Sequence, residues 1–93
     1  MSREIDVLVA RIIFGMTDFE VNLDGYMIKN YSTDIAAAWE IVEKIELINS
    51  QTFAIERHKD GKYEVTIGSK FVYATSAPMA ICLAALKAVG HES

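Results

Sequence analysis

Arg57 and Tyr63 flank the turn in "IERHKDGKYEV", where pairing of two strands would set them side by side. A guanidinium there offers a bidentate, charge-assisted contact to a phosphate. A tyrosine ring beside it offers a stacking surface for a base. Hydroxyl groups gather at two helix starts, Tyr31, Ser32 and Thr33 in "YSTDIAAAWEIVEKI" and Thr75 and Ser76 in "YATSAPMAICLAALKAVG". Helix N-termini present unpaired N–H groups and a positive potential, which suits phosphate. These seven residues are the candidate ligand site. The structural alternative carries the greater weight: Asp34 pairs with Arg57, Tyr63 packs on its stem, and the hydroxyls only cap helices. An exposed ion pair of that kind contributes ~0–1 kcal/mol.

Other chemistry-bearing types are sparse. Glu56 and Glu64 face each other across the same hairpin. Paired carboxylates can do acid/base work or bind a cation. They read here as a solvated sheet face, or one covered by the N-terminal helix. His58 lies beside a turn and His91 in the tail, neither at metal-ligand spacing, so no metal or cofactor is expected. Cys82 reads as a small buried hydrophobe, and Trp39 as core by its helical spacing. The chain contains no phosphate-binding glycine loop, nucleophile elbow or triad spacing. No catalytic residue is assigned, and the chain reads as a non-enzyme.

Three helices, a hairpin or loop and three strands must position these residues. Ile5, Leu8, Val9, Ile12 and Ile13 predict a helix over 3–14, with Arg3, Glu4, Asp6 and Arg11 on other faces and Gly15 as its cap. Residues 16–31 read as a small hairpin or ordered loop around Asp24-Gly25. Ile35, Ala38, Trp39, Val42 and Ile45, widened by Ile41 and Ile48, predict a helix over 34–48. Ser32 or Thr33 would cap it, with Asp34 at the positive end of its dipole and Glu40 pairing with Lys44.

Three strands follow. A three-residue loop, Lys59-Asp60-Gly61, pairs Phe53 with Ile67, Ile55 with Val65 and Arg57 with Tyr63, keeping apolar residues opposite one another. The same reasoning at Gly68-Ser69-Lys70 pairs Ile67 with Phe71, Val65 with Tyr73 and Tyr63 with Thr75. Residues 77–90 predict a last helix, capped at Ser76 or Ala77 and ended by Gly90. It is apolar nearly all round, as a central or shared helix is.

The totals narrow the class. Ninety-three residues make one domain, 1–93. An apolar fraction of 52% is high for so small a chain, and implies an exhaustively used core or a surface buried in a partner, favouring a homo-oligomer. Net charge is −4, with no cluster of Lys and Arg, which disfavours nucleic acid. The longest apolar run, residues 79–86, is far too short to span a membrane. The acidic residues of "MSREIDVLV" argue against a signal peptide, and a single cysteine fits a reducing cytoplasm.

The order helix, three-stranded meander, helix over 33–90 resembles a double-stranded-RNA-binding domain, but "SAPMAI" lacks the basic helix start of that fold. A closer likeness rests on "MSREIDVLVARIIFG", "YSTDIAAAWEIVEKI" and "SAPMAICLAALKAVG", which cover about half the chain. In these segments the chain resembles the phage ABA-sandwich domain family of phages and prophages of Gram-positive bacteria. The resemblance implies a small three-layer α/β sandwich. Some family members are similar to Thoeris anti-defence 1 proteins, which sequester cyclic nucleotide immune signals without cleaving them. Relatives often carry Glu where Met79 stands and Arg where Leu83 stands, and a longer stretch between residues 15 and 31.

The combined expectation is an α+β fold, a three-stranded antiparallel meander packed with helices. The expected role is a non-enzymatic phage protein in the host cytoplasm, binding a cyclic nucleotide or ADP-ribose-type signal at a site completed between subunits. The alternative is an oligomeric protein–protein interaction module. Double-stranded-RNA binding ranks third.

Overall fold

The first apolar stripe folds as a helix whose pitch changes part-way. The computed structural model describes residues 2–16, 28–49 and 52–90. Helix α1, Ser2–Leu8, runs on as a π-helical turn over Val9–Ile13. The Phe14 N–H donates to the carbonyl of Val9 at 3.2 Å, and the Met16 N–H to that of Ala10 at 2.9 Å. Gly15 then takes a φ of +71°, the left-handed step that ends the helix. The wider turn re-aims the stripe: Val9, Ala10 and Ile13 are buried while Ile12 faces outward. Asp6 departs from its expected polar face, being only 3% exposed.

Asp6 fixes the segment before the second helix. Its Oδ1 accepts the Ser32 N–H at 2.8 Å. The Thr33 and Asp34 N–H groups donate back to the Asn30 carbonyl at 3.1 and 2.9 Å, closing a turn. Tyr31 is buried and stacks on Phe14, with ring centroids 5.2 Å apart.

Helix α2, Ile35–Asn49, begins at Asp34 and not at Ser32 or Thr33. The Asp34 Oδ1 accepts the Ala36 N–H at 3.0 Å, and its carbonyl accepts the first helical bond, from Ala38. Its buried stripe is Ala37, Ala38, Ile41, Val42 and Ile45. Trp39, expected in the core, is 48% exposed, and Ile35 is exposed with it. The buried stripe runs through the small residues Ala37 and Ala38. The larger ring is left at the margin, edge-on to Phe53 at 5.6 Å. Glu40 is held by Lys29, whose Nζ donates to both carboxylate oxygens at 2.6 and 2.8 Å.

The hairpin expected between residues 16 and 31 falls largely on 17–27, outside the described residues, as do the Ile48 side chain and His91.

The strands β1 (Phe53–Arg57), β2 (Tyr63–Ile67) and β3 (Lys70–Ala74) form an antiparallel meander in that order. The first register is the expected one: Phe53–Ile67, Ile55–Val65 and Arg57–Tyr63. The second is corrected by one residue. Gly68-Ser69 makes a two-residue turn, so Ile67 pairs with Lys70, Val65 with Val72 and Tyr63 with Ala74. Gly68 takes the left-handed φ of +60° that such tight turns use. A one-residue slip reverses every side chain of the strand. Val72 and Ala74 therefore face the core, and Phe71 and Tyr73 face outward.

Helix α3, Ala77–Ala88, is capped by Ser76, whose Oγ accepts the Met79 N–H at 3.3 Å. It packs on β2 and β3 on one side and on α1 and α2 on the other. This central place explains its apolar circumference: Ala80, Ile81, Cys82, Ala84, Ala85 and Leu86 are all buried. Burial pushes the Cys82 thiol up to about 12, so it stays protonated. The α+β class, the meander and the element order are as the sequence implied. Among the described residues, the helices lie against one face of the sheet, and no helix is long and apolar enough to cross a membrane.

Candidate functional site

The placement of α3 decides what the end of the sheet exposes. On the sheet it packs against β2 and β3, and the core-side residues Ile55 and Arg57 of β1 remain exposed. The Arg57 guanidinium carbon lies 6.0 Å from the centroid of the Tyr63 ring, its partner in register. This is cation–π geometry that leaves the guanidinium edge in water. Among the described residues Arg57 makes no ion pair, so the expected Asp34–Arg57 pair does not form. Asp34 is engaged instead with the backbone of its own helix.

The remaining candidates divide. The row Arg57–Tyr63–Ala74 closes the sheet, and the chain leads from Ala74 through exposed Thr75 to the half-buried Ser76 cap. Thr75 lies beyond the strand and not opposite Tyr63, because of the register change. Thr33 is exposed on the turn before α2. Tyr31 and Ser32 are corrected: both are core residues, Tyr31 stacked on Phe14 and Ser32 tied by its N–H to Asp6. Neither presents a surface to a ligand. The signal for Asp6 lay in its spacing, since it precedes Val9, Ala10 and Ile13 at i+3, i+4 and i+7.

The opposite sheet face holds a second group at the same end. Glu56, Glu64 and Tyr73 stand in one cross-strand row. His58 follows Glu56 by two residues, and its Nε2 lies 2.9 Å from Glu64 Oε1. Its ring also tilts against Tyr73, with centroids 5.5 Å apart. The hydrogen bond to Glu64 raises the His58 pKa above the ordinary histidine value, helped by the charges of Glu56, Glu64 and Asp60. The Glu64 charge likewise raises the Tyr73 pKa. His58 therefore has the partner that its sequence spacing did not reveal. One ligand atom from each of Glu56, His58 and Glu64 lies within 4.8 Å of the others. Such a set can share a proton or hold a cation. Glu56, Arg57, His58, Lys59 and Asp60 line the open hollow at this corner.

The model of the phage ABA sandwich domain matches residues 7–86. The chain belongs to the phage ABA-sandwich domain family. Its fold is also similar to the 2.0 Å crystal structure of a phage protein from Bacillus cereus ATCC 14579. That match has a TM-score of 0.81 and 36% identity, and covers 100% of this chain and 91% of the other. No curated protein matches the chain. Among the described residues the layers run helix, helix, sheet, with α3 between the sheet and the other two helices, so the helix layer that a three-layer α/β sandwich places on the second sheet face is not among them.

Proposed function

We propose that this ABA-sandwich protein acts by binding and not by catalysis. Its ligand is a phosphate-bearing nucleotide immune signal, a cyclic nucleotide or an ADP-ribose derivative, which it sequesters intact in the host cytoplasm as a counter-defence. The observation that carries the reading is Arg57, an exposed guanidinium over the Tyr63 ring with no acid paired to it among the described residues. The pair offers a charge for phosphate and a ring for a base in one place. The likeness of family members to Thoeris anti-defence 1 proteins supports the ligand class. A second copy completes the pocket, since one arginine on an open strand encloses little.

A second reading, an oligomeric interaction module, draws on the exposed apolar side chains Ile35, Trp39 and Ile55 and, across the sheet, Phe71 and Tyr73. Binding of double-stranded RNA is opposed by the net charge of −4.

The experiment is release of captured ligand. The purified protein is incubated with a panel of cyclic nucleotides and ADP-ribose derivatives, washed, and heated. Intact nucleotide in the supernatant is the expected result, and a chemically altered one would reveal an enzyme. Arg57→Gln should weaken capture by about 10- to 100-fold, the worth of a charge-assisted hydrogen bond. Undiminished capture by that variant would move the site elsewhere, and no thermal shift with any nucleotide would favour the interaction module.

A further inference from the structure

Glu56 and Glu64 are direct partners across β1 and β2. Like charges in that position repel unless something positive lies between them. His58 brings a nitrogen to the same corner, 2.9 Å from Glu64 Oε1. The group is thus a mixed set of one imidazole and two carboxylates, contributed by both strands of one hairpin and joined by its loop. We propose that Glu56, His58 and Glu64 form a binding site for a divalent transition-metal cation of the zinc or cobalt class.

The donor types choose the class of ion. Imidazole suits zinc and its neighbours, whereas magnesium and calcium prefer oxygen donors alone. Three protein ligands are the number that open zinc sites use, leaving a position for water or an anionic oxygen. Metal–ligand bonds of ~2.0–2.1 Å put tetrahedral donors roughly 3.3 Å apart. The set here spans up to 4.8 Å, so it must draw in by rotamer changes at the glutamates. Glu56 is exposed and free to swing, while His58 is steadied by Glu64 and by the Tyr73 ring. Its three ligands stand on the outward sheet face and Tyr63 on the other; Arg57 borders the same hollow but supplies no metal ligand, so the site does not depend on the nucleotide reading.

The test is direct titration of chelator-treated, full-length protein with Zn²⁺, and with Co²⁺, whose visible absorption reports its ligands. A single equivalent should bind with micromolar affinity, and a large excess of Mg²⁺ should not displace it. His58→Ala and Glu64→Gln should each weaken binding at least about tenfold, a loss that even outer-shell partners of metal sites can produce. Glu56→Gln, the most exposed change, serves if either variant unfolds. His91→Ala should bind as the parent does. Absence of binding at high micromolar metal, or binding that survives His58→Ala, would overturn the site.

Discussion

The carboxylate of Asp6 and the backbone N–H of Ser32, 26 residues apart, meet in a buried hydrogen bond of 2.8 Å. This contact decides how the segment before α2 is used. It turns Ser32 inward, brings Tyr31 onto Phe14, and leaves capping of the helix to Asp34. Asp6 Oδ2 also lies 3.5 Å from Arg3 Nη1, and Arg3 reaches Asn30 Oδ1 at 3.1 Å, so the same corner is tied from two sides.

Removing that acceptor should be costly. Asp6→Ala strands a buried N–H and loses a charged hydrogen bond, for about 2–3 kcal/mol of stability. Asp6→Asn keeps an oxygen in place and should lose less. Urea denaturation of the three proteins measures the difference, and equal stability of Asp6→Ala and the parent would contradict the buried contact.

The β3 register makes a paired prediction. Val72 faces α3 and Tyr73 faces outward beside Glu64. Val72→Lys puts an ammonium group against the core and should cost about 2–3 kcal/mol. Tyr73→Lys gains a carboxylate neighbour and should change stability by no more than ~1 kcal/mol. The reverse order of stabilities would restore the register with Tyr73 opposite Val65.

His58 should titrate above the ordinary histidine value in chelator-treated protein, because protonation is favoured by the hydrogen bond to Glu64. Glu64→Gln should bring its pKa back down, as followed by NMR of the ring protons. The linkage has a definite sign. A folded pKa above the unfolded one gives stability that is complete below the unfolded value and fades as pH rises through the folded one. The effect on stability is small because the pair is solvated. An unshifted His58 would argue against the 2.9 Å contact.

Trp39, the single tryptophan, reports on the apolar margin of α2. In dilute protein its emission should be that of a half-exposed indole, open to quenching by acrylamide. If copies associate through Ile35, Trp39 and Ile55, raising the concentration should shift the emission to the blue and protect it. Light scattering on the same samples gives the mass. Protection without a rise in mass, or a rise in mass without protection, would separate the interface from this patch.

Much of the architecture was legible because it rests on local rules. The apolar repeats predicted all three described helices, and Ser76 marked the start of the last. In the first hairpin, Gly61 with a φ of +89° and matched apolar rows set the register of Arg57 against Tyr63. The family was legible too, since three segments carried its pattern. The second hairpin misled for a physical reason. Phe71 and Tyr73 look like core by size, but the short Gly68-Ser69 turn and the packing of α3 select the smaller Val72 and Ala74.

Periodicity and turn chemistry act within a few residues, so the order of amino acids alone sets which segments become helix or strand. Which faces those elements bury is settled by packing. The inward turn of Asp6, the outward turn of Trp39 and Tyr73, and the meeting of His58 with Glu64 all depend on which neighbour arrives from elsewhere in the chain. The candidate site shows the same division. Arg57 and Tyr63 were paired by a local hairpin, whereas the loss of Tyr31 and Ser32 to the core followed from a hydrogen bond spanning 26 residues.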